Sequence, residues 1–142
     1  MYAGNLPNYE AEFRATGLDS AGRKHLLTPL SVPIPSEAVS LQVIRCASAD
    51  GDQSYYYKEV APKERVVLHF TAGYLRGDID TLSRPNYHVS VPFVLARDGT
   101  IYNLFSSTYW SYHLGANAIG GNQEMSKRAL AIEISNIGPL QK

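Results

Sequence analysis

Two runs of branched apolar residues do most to restrict how this chain can fold: RVVLHF (65–70) and ALAIEIS (129–135). Neither alternates polar with apolar, so each reads as a strand buried on both faces of a layered sheet. Each also carries one residue that such a strand should not hold. His69 stands near the exit of the first, and Glu133 in the middle of the second. An imidazole there is either a core side chain bonded to a backbone carbonyl, or a metal ligand or general base held rigidly beside open loops. A carboxylate among Ala and Ile either faces solvent on a one-sided sheet or borders a cleft, because burying it unpaired is costly. In a desolvated cleft its pKa rises toward the range that suits a general acid or base near neutral pH.

The segments around these runs outline a domain. GYLRGDIDTLSR (73–84) predicts a short helix closed by Pro85, and HVSVPFVLA (88–96) a strand. RDGT (97–100) is a tight turn in which Asp-Gly supplies the unusual backbone angles, and IYNLF (101–105) pairs back. A Gly/Asn/Ser-rich loop over 106–127 carries Trp110, Tyr112 and His113 in WSYHLGAN (110–117). That histidine is either a solvated loop residue or a polar group on a cleft wall, with the aromatics as ligand platforms. Upstream, SLQVIRCAS (40–48) reads as a strand, ADGDQ (49–53) as a turn, and SYYYKEV (54–60) as the hairpin partner. Residues 1–40 differ in kind: TPLSVPIPSEA places three prolines within seven residues. Proline removes donors and fixes φ, so 1–40 is expected to be an extended arm or linker, with YEAEFRA as a short helix. The order strand, helix, hairpin, loop, strand predicts an α/β or α+β domain around a mixed sheet. A central strand needs a layer over each face, and only one clear helix follows residue 60, so the fold is expected to lack C-terminal elements.

With 142 residues the chain suits one domain. Thirteen basic residues balance 13 acidic ones, which gives no reason to expect nucleic acid as a partner. The single cysteine, Cys46, excludes an internal disulfide and any site of several thiolates, while leaving the compartment open. No apolar run approaches the ~20 residues of a membrane span. The opening MYAGNLPNYEAEFRATG shows no basic region followed by an apolar one, so no signal peptide is expected.

Taken in order, His69, SVPFVLARDGTIYNLF (90–105), SYHLGA (111–116) and LAIEISN (130–136) resemble the type 2 N-acetylmuramoyl-L-alanine amidases. This is the zinc-amidase family that also includes the animal peptidoglycan recognition proteins. The resemblance spans about residues 64–138 and implies a mixed central sheet flanked by helices. It also implies one zinc held by two histidines and a third ligand, with a water whose pKa falls to about 7. The implied substrate is peptidoglycan or a muropeptide, cut at the amide between N-acetylmuramic acid and L-alanine. The implied place of action is the cell wall, periplasmic or extracellular. By resemblance His69 is the first zinc ligand, His113 lies in the substrate cleft and Glu133 is the catalytic base; beside His113, Trp110, Tyr112 and Asn117 are expected to bind substrate. Another branch of the family uses a tyrosine as base where Val91 and Pro92 stand here, which favours Glu133 unless Tyr87-His88 shifts into place. The family's second histidine and third ligand come near its C-terminus, and after Glu133 this chain has no His, Cys, Asp or Glu. Residues 41–142 are therefore expected to be the N-terminal part of a catalytic domain. The remaining ligands would come from a C-terminal segment or a second polypeptide. Some relatives keep the cleft and lose the metal, so a muropeptide-binding module is the alternative.

Overall fold

Branched and aromatic residues dominate the strands of a six-stranded mixed sheet, and three short helices accompany it. The computed structural model describes residues 6–31 and 41–136. The elements in order are α1 (Leu6–Thr16), β1 (His25–Leu30), β2 (Val43–Ser48), β3 (Arg65–Phe70), α2 (Leu75–Leu82), β4 (Phe93–Leu95), β5 (Ile101–Asn103), α3 (Asn122–Arg128) and β6 (Ala129–Ile134). Across the sheet the strands run β1-β2-β5-β4-β6-β3. The β1/β2 and β4/β5 pairs are antiparallel; β2/β5, β4/β6 and β6/β3 are parallel. The expected α/β class with a mixed sheet is the one observed.

The helix after β3 forms because its apolar residues repeat at helical spacing. Leu75, Asp78, Ile79 and Leu82 make one buried stripe, so α2 can lie on the sheet. Beneath the helices, Phe13, Ile79, Val94, Tyr102 and Ala131 share one core cluster. Side chains alternate across a strand, so Val67, His69, Ala131 and Glu133 fall on the same face of the sheet. Val66, Leu68 and Phe70 fall on the other face and are 60%, 58% and 67% exposed.

Five expectations change here. RVVLHF is not buried on both faces: among the described residues β3 is an edge strand, open along one face and one side. The supposed arm contributes a helix and a strand over 6–30. β1 pairs with β2 from His25↔Ser48 to Leu30↔Val43, and Phe13 is fully buried. Pro29 misled that expectation, because an edge strand tolerates a missing donor on its outer side. Residues 32–40 of the proline-rich stretch lie outside the described residues. SYYYKEV is not the hairpin partner of β2, whose neighbours are β1 and β5. Instead Tyr55 and Tyr56 are buried and Tyr57 bridges to Trp110. Finally, the strand expected over 88–96 shortens to β4, following Pro92, and α3 interrupts the supposed loop. RDGT turns as expected: Gly99 has φ +89°, the Ala96 amide donates to Thr100 O, and the Thr100 amide donates to Asp98 Oδ1.

Candidate functional site

His69 and Glu133 are register partners on β3 and β6. Partner strands lie about 4.8 Å apart, so the two side chains stand side by side on the helix-covered face. A third group, from the long loop, meets His69. His69 Nε2 lies 2.9 Å from His113 Nδ1, with the rings at 78°.

α3 holds His113 in place. The His113 amide donates to Ser126 Oγ at 3.3 Å, and Ser126 Oγ donates to Asn122 Oδ1 at 3.1 Å. His113 Nε2 lies 3.4 Å from Ser126 O, which can only accept. The proton is therefore assigned to Nε2 of His113, which leaves Nδ1 as a lone pair that accepts from His69 Nε2–H. Burial lowers the pKa of both rings. For His113 the charge of His69 adds to burial, the backbone bond to Ser126 opposes it, and the value falls to about 4. Both imidazoles are thus neutral at pH 7.

Glu133 is shifted the opposite way. Burial, and then the negative charge of Asp78, push its carboxyl up from 4.5 to about 7. Asp78 is itself raised by burial, against hydrogen bonds from Ser135 and Thr71 and the charge of Arg97. A carboxyl poised near neutrality can take and return a proton at working pH.

The other predicted residues scatter around this centre. Tyr112 is half-buried, and its ring packs edge-on against Trp110 and Tyr57, with no ring contact to His113. Trp110 is only 4% exposed; it stacks on Tyr57 and donates from Nε1 to Glu59 Oε2 at 3.2 Å. It has little free surface to offer a ligand and acts as a support under Tyr112. Asn117 is exposed on the loop beyond His113, with no hydrogen bond to the three central groups. The tyrosine alternative finds no support: Tyr87 is 57% exposed, and the His88 ring stacks on Tyr57 at 4.2 Å. An apolar groove of about 300 Å³ uses the same face of β3, lined by Val67, Leu114, Ile119 and Met125. A larger groove, about 630 Å³, lies on the opposite face against Val43, Phe93, Leu95 and Ile132, away from every predicted site residue.

Two imidazole nitrogens and a carboxylate invite a test for metal. Nitrogens sharing a tetrahedral zinc sit about 3.3 Å apart, given bonds of about 2.0–2.1 Å. The His69–His113 pair, at 2.9 Å, would have to open slightly. Among the described residues, no group of three His, Cys, Asp or Glu side chains is placed to hold an ion. A catalytic zinc takes three protein ligands, so the described residues do not by themselves fit the zinc that the resemblance implies. No described helix is long and apolar enough to cross a membrane.

Sequence reasoning missed Asp78, Ser126, Ser135 and Arg97. Only Asp78 left a trace, as an acid at an apolar position of the α2 repeat.

No protein-family model matches this chain, and no curated protein matches it. Among solved structures, the crystal structure of the Staphylococcus aureus hydrolase AmiA in complex with its ligand superposes with a TM-score of 0.49 at 16% identity. The match covers 80% of this chain and 58% of that one. At that level the likeness decides neither family nor activity.

Proposed function

We propose that this chain is the catalytic part of a peptidoglycan amidase that hydrolyses the amide between N-acetylmuramic acid and L-alanine. The observation that carries the reading is that His69 is bonded to His113 and stands in register with Glu133 across the β3/β6 pair, with the Glu133 carboxyl poised near 7. These are three of the residues that the ordered motifs single out. Glu133 takes a proton from the attacking water; the hydroxide adds to the amide carbon; the acid then returns the proton to the departing alanine nitrogen. His69 and His113 stay neutral; the His113 lone pair is taken up by His69 Nε2–H, so the lone pair left to a ligand is that of His69 Nδ1. Zinc enters this reading only through His69. Its fellow ligands would lie outside the described residues, on a C-terminal segment or a second polypeptide.

The incomplete donor set favours one other reading, a muropeptide-binding module without turnover. The two part on a single preparation. Metal content is measured by mass spectrometry and peptide release from muropeptide is followed between pH 5 and 9. The amidase reading expects release that rises through about pH 7, as Glu133 ionises. Muropeptide binding with no release and no metal would establish the module in its place.

A further inference from the structure

Asp78 is the fourth member of the buried stripe of α2, whose other members are Leu75, Ile79 and Leu82. An aliphatic residue would pack there at no electrostatic cost; a carboxylate, 7% exposed, needs partners. Ser135 supplies one, donating its hydroxyl proton to Asp78 Oδ2 at 2.7 Å. The same hydroxyl accepts from Arg97 Nη1 at 3.2 Å, and Ser135 is 2% exposed, so it cannot turn away. Arg97 donates from Nη2 to Gly73 O at 2.9 Å, and its own amide donates to Glu10 Oε1 at 2.9 Å. Thr71 completes the set: its amide donates to Ile134 O at 3.1 Å, and its hydroxyl accepts from the Asn136 amide at 3.2 Å. The network thus grips both strands just beyond His69 and Glu133. Gly73 is part of it, since a Cβ there would come within 3.0 Å of Asp78 Oδ1.

Glu133 and Ser135 project from the same face of the chain, two residues apart. Locking Ser135 therefore fixes the backbone from which the Glu133 carboxyl is aimed. We propose that Asp78, acting through Ser135, is a positioning residue for Glu133 and that the Arg97 and Thr71 bonds hold the His69 end of β3 to the same frame. This rests on the amidase reading for its catalytic meaning but not for its geometry. A reacting group displaced by about 1 Å loses up to about 10²-fold in rate, which is what such a frame prevents.

The test uses side-chain NMR of Glu133 together with kinetics on the full chain. In the native protein the two Glu133 γ-protons should be well separated, as for a single rotamer. Ser135→Ala and Asp78→Ala should merge them, while Asp78→Asn, which still accepts from Ser135, should keep them apart. Leu82→Ala, on the same helix stripe, should lower stability and leave the γ-protons separated. On muropeptide, Ser135→Ala should cut kcat about tenfold with KM unchanged. Equal separation in Ser135→Ala and the native chain, or equal merging in Leu82→Ala, would overturn the proposal. If Asp78→Ala does not fold, Ser135→Ala decides alone. A native chain that turns over no muropeptide refutes the amidase reading, and the γ-proton comparison still decides the positioning role.

Discussion

Two histidines stand near strand ends in this molecule, and their surroundings are opposites. His25 opens β1 and is 2% exposed, with Nε2 at 2.8 Å from Asp19 Oδ2. Asp19 is fully buried and is held in turn by the amides of Ala21 and Arg23, at 2.9 and 3.0 Å, and by the Arg23 guanidinium at 3.5 Å. Nothing from solution can reach this pair. His69, near the end of β3, is half-buried. Its partner is a second neutral imidazole, and its neighbour is a carboxyl held near neutrality. The difference teaches how to sort histidines. A ring sealed from solvent against a buried, fully bonded carboxylate is part of the architecture, even though His25 Nδ1 itself has no partner among the described residues. A ring left facing another lone pair beside a poised acid is available for chemistry.

The sharpest way to break this contrast is at Glu133. Glu133→Gln should lower kcat on muropeptide by about 10²–10⁴-fold, whereas His25→Phe should leave turnover per folded molecule within about twofold. The reverse pattern would move the active site to the other histidine. Next in size is the cost of opening the closed pair. Asp19→Ala leaves the buried His25 ring and the Ala21 and Arg23 amides without their acceptor, and urea unfolding should show a loss of about 3 kcal/mol. His69→Ala, by the same measurement, should lose less than about 1 kcal/mol.

A smaller effect runs in the opposite direction. The Glu133 carboxyl keeps its proton to a higher pH in the folded chain than in the unfolded one. Its stabilising contribution is therefore full below about pH 4.5 and is lost as the pH rises through about 7. Glu133→Gln should accordingly gain about 1 kcal/mol over the native chain at pH 8 and nothing at pH 4, after discounting for its partial exposure. A stability difference that does not change with pH would remove the desolvated carboxyl from the argument for the site. The smallest effect belongs to the open face. Leu68→Lys should change stability by no more than about 0.5 kcal/mol, because the side chain already stands in solvent. A loss of several kcal/mol would show that β3 is covered after all.

The residues that carry chemistry were more legible than the layers around them. His69 and Glu133 declared themselves as polar residues inside apolar runs, and their conflict with the run is local. His113 needed the motif order, since a histidine in a polar loop contradicts nothing nearby. Asp78 was legible only as a broken repeat, and Ser135 left no trace. A serine's role depends on what lies across from it, here an acid 57 residues earlier in the chain. Trp110 was read as a platform because its composition suits one, but its burial is a fact of packing.

What the sequence determined alone is what depends on neighbours along the chain. That includes the strand propensity of RVVLHF and ALAIEIS, the amphipathic repeat of α2, the Asp-Gly turn and the two misfit residues. Tertiary structure decided which strand became an edge, that residues 25–30 joined the sheet despite Pro29, and that His69 bonds His113 and stands in register with Glu133. Strand order, burial and a carboxyl's affinity for its proton arise from contacts between segments far apart in sequence. A run such as RVVLHF has the same propensity at the centre of a sheet and at its rim.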